Sequence, residues 1–106
     1  MQAITETITC TCELWRWTGG GNGAWHFLTI SGEAGEALTE IALMRRLEGM
    51  ARGFGSLRVT ATIGTTSWKT SAFPSRETGW MLPVKASVRK AEDLSESDEV
   101  SLALEL

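Results

Sequence analysis

The sequence predicts a mainly-β fold: a small six-stranded closed or semi-closed β-barrel with two capping helices, in the order ββαβββαβ. Three observations support this fold class. Several short segments alternate apolar and polar residues with period two, and one longer segment has helical periodicity. The length of 106 residues, of which 42% are hydrophobic, is enough for one ordinary core. We therefore expect residues 1–106 to form a single β-barrel domain.

The first two strands are predicted to form a hairpin. From position 4 to position 14, even positions are mostly apolar and odd positions are mostly threonine, which is typical of a strand with one buried face. The glycine-rich stretch 18–23 suits a turn that needs positive φ. The stretch 24–30 follows as the second strand.

The remaining elements alternate between helix and strand. Apolar residues spaced by three and four over positions 34–44 predict a helix. Acidic residues at its start and Arg45 and Arg46 at its end suit the helix dipole. Further strands are predicted at 57–63, 67–73, 80–82 and 100–106, with a short helix at 85–91.

The charge balance restricts the classes of partner. Ten Lys and Arg residues against thirteen Asp and Glu give a net charge of −3, which argues against binding to nucleic acid or membrane surfaces through bulk charge. No apolar run is long enough for a transmembrane helix, and the first residues do not resemble a signal peptide. The two cysteines, Cys10 and Cys12, are therefore expected to be reduced thiols in a cytoplasmic protein.

The aromatic composition is unusual, because the chain has five tryptophans and no tyrosine. The tryptophans are spread along the whole chain, at Trp15, Trp17, Trp25, Trp68 and Trp80. Aromatic residues spread in this way are expected to fill a core or to line one pocket.

Several motifs are superficial matches to functional sites. The run 19–23 lacks the following helix that a phosphate-binding loop needs. The octamer 52–59 begins like an RNA-recognition motif, but Ser56 and Val59 replace the aromatics that stack on bases. His26 is the single histidine, and no nucleophile is paired with it, so we expect no catalytic site. Cys10 and Cys12 are too few for the common structural zinc site, and we expect neither a metal nor a cofactor.

The candidate ligand site combines basic and aromatic residues. Lys85 and Arg89 are four residues apart on the second helix and share one face. Our hypothesis is that Arg58, Lys85 and Arg89 bind an anion between walls formed by Trp68 and Trp80. The alternative is a solvated helix face on which Arg89 bridges to Asp93.

The assembled segments resemble the bacterial DUF1905 family, a domain of unknown function. The resemblance is carried by positions 24–28, 53–59, 63–64, 68–71, 73–74, 82–85 and 88–91, and it covers nearly the whole chain. It implies a small β-barrel of the double-split or swapped-hairpin type, and it implies no activity. The sequence departs from the family pattern at Ser31, where a proline is common, and at Ser97, where a glycine precedes the aspartate.

The function predicted from these observations is that of a noncatalytic binding module. Its ligand would be a small anion or an acidic peptide element on a protein partner. The alternative is a dimeric nucleic-acid-binding regulator, which a contiguous positive face would favour. An enzyme of unknown reaction is the weaker alternative, and a carboxylate that lines the same pocket as His26 would favour it.

Overall fold

The structure is a computed structural model that describes residues 6–18, 25–49, 55–75 and 79–106. Within these ranges the chain forms six strands and two helices. In chain order they are β1 (Thr7–Trp17), β2 (Trp25–Ile30), α1 (Gly32–Leu47), β3 (Leu57–Ile63), β4 (Thr66–Ser75), β5 (Gly79–Pro83), α2 (Ala86–Ala91) and β6 (Glu99–Glu105).

The strands form a closed antiparallel barrel in the order β1-β2-β5-β4-β3-β6. The long strands β1 and β4 each belong to two sheets. The first part of β1 pairs with β6, with Thr7 opposite Glu105, and its last part pairs with β2, with Trp17 opposite Trp25. In the same way the first part of β4, from Thr66 to Ala72, pairs with β3, and its last part, from Phe73 to Ser75, pairs with β5. The predicted barrel and the predicted element order are confirmed.

The period-two pattern of the strands builds the core. Even positions of β1, such as Cys12 and Leu14, face the interior, and the threonines at odd positions face outward. The same alternation continues around the barrel. The buried strand residues include Leu28, Ile30, Leu57, Val59, Ala61, Ile63, Ala72, Leu82, Val100, Leu102 and Leu104.

Helix α1 closes the end of the barrel at which β2 ends. Its residue Leu38 is fully buried, and Trp80 of β5 donates a hydrogen bond from Nε1 to the hydroxyl of Thr39 at 3.1 Å. Glycine allows this close packing. A Cβ at Gly35 would lie 2.8 Å from the carbonyl oxygen of Ile30, and a Cβ at Gly79, where φ is +102°, would lie 2.5 Å from the same oxygen.

Helix α2 closes the opposite end, because β5 runs from the α1 end to Pro83 and leads directly into it. Val84 and Val88 are buried beneath it. The backbone N–H of Val84 donates to the carbonyl of His26 at 2.9 Å. The carboxylate of Glu92 accepts a hydrogen bond from the Thr66 hydroxyl at 2.5 Å, so the helix is tied to both β2 and β4.

The structure corrects one sequence-based expectation in part. Trp68 and Trp80 belong to the core, but Trp15, Trp17 and Trp25 lie on outward-facing positions of β1 and β2. Four stretches with sequence-based predictions lie outside the described residues. They are the predicted strand start at 4–5, the predicted turn at 19–23, part of the octamer at 52–54 and part of a predicted loop at 76–78. Neither helix among the described residues is long and apolar enough to cross a membrane.

Candidate functional site

The structure distributes the five residues of the predicted anion site over different parts of the barrel. Trp68 and Trp80 point inward and are only 8% and 3% exposed, so they are core residues. Trp80 lies at the α1 end, where its N–H group is already used by Thr39. Neither indole therefore forms the wall of an open pocket.

Arg58 lies on the outer surface of the barrel. It alternates with the buried residues Leu57 and Val59 on β3, and it lies opposite Ser71 of β4. Strand β4 separates β3 from β5, which leads to α2. The structure therefore does not bring Arg58 together with Lys85 and Arg89.

The other two predicted residues lie at the α2 end. Lys85 is exposed and immediately precedes α2. Arg89 is half-buried, and its Nε donates a hydrogen bond to the carbonyl oxygen of Val84 at 3.2 Å. Among the described residues, Arg89 forms no ion pair with Asp93 or with any other carboxylate. Its guanidinium is thus held against the backbone where β5 ends, with further N–H groups left to donate.

Two residues that the sequence did not assign to the site lie at the same end of the barrel as Arg89. Arg16 and His26 are register partners near the ends of β1 and β2. Both occupy positions that continue the inward-facing rows of Leu14 and Leu28, so they follow the core outward to the mouth of the barrel. The Val84 N–H group bonds to the carbonyl of His26, which joins this pair to the start of α2.

The pKa of His26 depends on its burial and on the charged groups at this end of the barrel. Burial lowers the pKa of the His26 imidazole below its usual value of 6.5, and the positive charges of Arg89 and Arg16 lower it further. Glu96, which follows α2, acts in the opposite direction. We call Arg16, His26, Arg89 and Glu96 the mouth cluster.

The His26 side chain is neutral at pH 7 and incompletely satisfied. Its Nδ1 atom is buried and makes no hydrogen bond with any residue that the structure describes. Buried polar atoms of this kind are uncommon and call for a physical explanation. Among the described residues, Glu96 acts on the imidazole through its charge and not through a hydrogen bond to Nδ1.

The mouth cluster contains several hydrogen-bond donors that suit an anion. Two guanidinium groups and an imidazole that can take up a proton offer donors for a carboxylate or a phosphate, and Arg residues bind both with two parallel hydrogen bonds. No group of three or more potential ligand side chains that could hold a metal ion occurs in the part of the chain that the structure describes.

A wide groove beside α1 has the opposite character. It has a volume of about 920 Å³ and lies between the helix and strands β2 and β5. Among the residues that the structure describes, its lining includes the carboxylates Glu36 and Glu40 and no Lys or Arg. Because these carboxylates repel anions, this groove does not match the predicted ligand.

The register and the helix docking explain why the sequence reading missed Arg16 and His26. Arg16 follows Leu14 by two positions in β1, so the alternation of the strand already indicates that Arg16 lies on the inward-facing side. The pairing of Arg16 with His26 depends on the length of the hairpin connection, and the approach of Arg89 depends on how α2 crosses the barrel end. Neither is fixed by local periodicity.

Comparison with known protein families confirms the family resemblance of the sequence. A family model described as Domain of unknown function (DUF1905) matches residues 11–104, which span β1 to β6. No curated protein matches the chain. The family description names no activity, so the geometry of the mouth cluster carries the functional argument. The chain belongs to the DUF1905 family.

Proposed function

We propose that the protein is a noncatalytic binding module that recognises a carboxylate or phosphate group at the barrel mouth. The observation that carries this proposal is the convergence of Arg16, His26 and Arg89, all three of which lie at the α2 end. The ligand would be a small anion, or an acidic side chain of a peptide that presents the same group.

Positioning of Arg89 supports the proposal. The hydrogen bond from its Nε to Val84 fixes the guanidinium plane before any ligand arrives, so less side-chain freedom is lost on binding. A charge-assisted hydrogen bond contributes about 1.5–3 kcal/mol. Arg16 is exposed and therefore more strongly screened by solvent, so it is expected to contribute less than Arg89.

His26 makes the proposed binding depend on pH. The free protein holds the imidazole neutral, because burial and two positive charges oppose its protonation. A bound anion offsets those charges and raises the pKa of His26, so binding is coupled to proton uptake. Affinity is therefore expected to rise as the pH falls from 7 towards 5, as long as the ligand itself remains ionised.

The proposed location is a reducing bacterial cytoplasm. Support comes from the two thiols, which are both free, with Cys10 half-buried and Cys12 buried on the inner face of β1.

The experiment uses a panel of inorganic phosphate, succinate, citrate and a short polyglutamate peptide. We expect at least one of them to raise the melting temperature and to change the emission of Trp15, Trp17 or Trp25, which flank Arg16 and His26 in sequence. Arg89→Gln should weaken that binding by at least about tenfold, which corresponds to the loss of one charge-assisted hydrogen bond.

Arg58→Gln is the matched control, because Arg58 is an exposed arginine on a different strand of the barrel. It should leave binding unchanged. No response to any member of the panel at millimolar concentration, or equal losses in the Arg58 and Arg89 variants, would contradict the proposed site. The peptide and the small anions separate the two sources of the anionic group.

A further inference from the structure

An uncharged aromatic surface covers one side of the barrel. Its residues on β1 and β2 face outward, whereas Arg16 and His26 of the mouth cluster continue the inward-facing rows. It is formed by outward-facing residues of β1, β2, β5 and the end of β4. We call it the aromatic face, and it consists of Trp15, Trp17, Trp25, Phe27, Phe73, Met81 and Pro83.

Strand register makes the aromatic face continuous. Trp15 lies opposite Phe27, which lies opposite Pro83, so one row crosses three strands. Trp17 and Trp25 extend the surface towards the hairpin, and Met81 and Phe73 extend it towards β4. Cross-strand neighbours on one face are close enough to form a single packed surface.

The aromatic side chains are ordered against one another. The ring of Phe27 lies 5.2 Å from that of Trp15 and 6.3 Å from that of Trp25, with the latter pair nearly parallel at 13°. The Nε1 of Trp15 donates to the Thr29 hydroxyl at 2.8 Å. A surface that is already packed loses little side-chain freedom when it is covered.

The exposed area is that of an interface core. Trp17, Trp25 and Phe73 are 42%, 57% and 43% exposed. For side chains of this size, that exposure amounts to roughly 300 Å², and the half-buried members bring the total to roughly 400–500 Å². A standard interface buries about 800 Å² per partner, of which about 65% is apolar in homodimers. The aromatic face therefore matches the apolar share of one such interface.

The charge of the surface limits what can cover it. Among the described outward-facing positions on these stretches of strand, Glu13 is the one charged residue, and none is Lys or Arg. A nucleic-acid strand would find no counter-charge for its phosphates. Trp15 and Thr29 already bond to each other, so this indole N–H group is not free to bind a carbohydrate hydroxyl. An uncharged apolar partner fits best.

We infer that the aromatic face is the contact surface between two copies of this chain. Each described strand has a neighbour on both sides in the closed barrel, so we place the contact on the aromatic face and not at a strand edge. A two-fold axis through the face places the same apolar patch on both sides, which is the usual geometry of homodimers. This inference is independent of the anion site.

The test is the solution mass of the chain over protein concentrations from about 1 µM to about 1 mM, measured by sedimentation equilibrium. The wild-type mass should rise from 11.5 kDa to twice that value with concentration. The double variant Trp17→Thr, Trp25→Thr should remain a monomer with an unchanged circular dichroism spectrum. Both positions are exposed on strands, where threonine is well accommodated.

Leu47→Gln is the control, because Leu47 is 74% exposed on α1 and lies outside the aromatic face. This variant should dimerise like the wild type. Phe73→Thr provides a second disruption at the opposite side of the face, should the double variant fail to fold. A monomeric wild type, dimerisation of a folded double variant, or loss of the dimer in Leu47→Gln alone would overturn the inference. A monomeric wild type that binds single-stranded RNA or an oligosaccharide would identify another occupant.

Discussion

The contact between α1 and the barrel can be tested through three glycines. Gly35 and Gly79 both approach the carbonyl oxygen of Ile30, whereas Gly32 has no atom within 4 Å of the position where a Cβ would lie. Gly32 and Gly79 have positive φ, at +61° and +102°, and Gly35 does not. Alanine substitutions at the three positions therefore separate backbone strain from close approach.

Gly79→Ala combines both costs. Backbone strain at a φ of +102° costs about 1–3 kcal/mol. A Cβ placed 2.5 Å from a carbonyl oxygen displaces backbone rather than a flexible side chain, and overpacking of this kind costs a further ~1–3 kcal/mol. The unfolded alanine variant has less conformational entropy than the unfolded wild type, which offsets about 0.4–1 kcal/mol of this destabilisation. The expected net loss in the free energy of unfolding is about 3 kcal/mol, the middle of these ranges.

The variants of the two other glycines are expected to lose less stability than Gly79→Ala. Gly32→Ala introduces backbone strain at positive φ but no close contact. The lower conformational entropy of the unfolded variant offsets much of that strain, so the expected loss in the free energy of unfolding is about 1 kcal/mol or less. Gly35→Ala gains about 1 kcal/mol in helix propensity, but its Cβ would lie 2.8 Å from the Ile30 oxygen. We expect a net loss between those of the other two variants.

Urea unfolding, followed by tryptophan emission, measures these differences in the free energy of unfolding. The slope of that free energy against urea concentration should be the same for all variants. For a domain of this size, 1 kcal/mol shifts the melting temperature by about 4–8 °C, so Gly79→Ala should melt at least about 10 °C below the wild type. A loss for Gly79→Ala within about 1 kcal/mol of that for Gly32→Ala would refute the close approach to Ile30 as a source of destabilisation.

Three further predictions concern titration and partners. The unreduced, denatured protein should contain two titratable thiols. In the folded protein, iodoacetamide should modify Cys10 before Cys12, because the hydrogen bond with Cys12 lowers the pKa of the Cys10 thiol. If Cys10 reacts as fast in a Cys12→Ala variant as in the wild type, this explanation is wrong. The folded-state pKa of His26 lies below 6.5, so the unfolded chain takes up more protons, and the free energy of unfolding should fall as the pH drops from 6.5 to that lower pKa. His26→Gln should flatten this part of the profile measured by urea unfolding, and an unchanged slope would exclude His26 as its source. Anisotropy measurements with random duplex DNA or single-stranded RNA at ~150 mM salt should detect no submicromolar binding; tight binding would instead favour the dimeric regulator.

The sequence was most informative where one face of a strand is buried. Alternation predicted the inward direction of Cys10 and Cys12, and the structure shows both on the inner face. The bounds of β3 agree with the prediction as well. These features depend on local periodicity, which a single sequence displays directly.

The sequence was least informative where pairing over a distance decides the outcome. Trp15 and Trp17 share the outward parity of the β1 threonines, so their position was readable, but their row with Phe27 and Pro83 depends on the register of three strands. The candidate site behaves in the same way. Arg89 was selected from its helix, whereas its neighbours Arg16 and His26 become visible only when α2 is placed over the barrel end.

The pairing of β1 with β6 determines when the barrel can become complete. Thr7 lies opposite Glu105, so this ladder joins the first strand of the chain to the last. Contacts between such distant segments slow folding, because a long loop must close before they form. Until β6 is in place, β1 can pair only with β2, and the rest of its eleven residues present an open edge that favours association between chains. Removal of β6 would expose β1 and β3 together, since β6 is the strand that joins them.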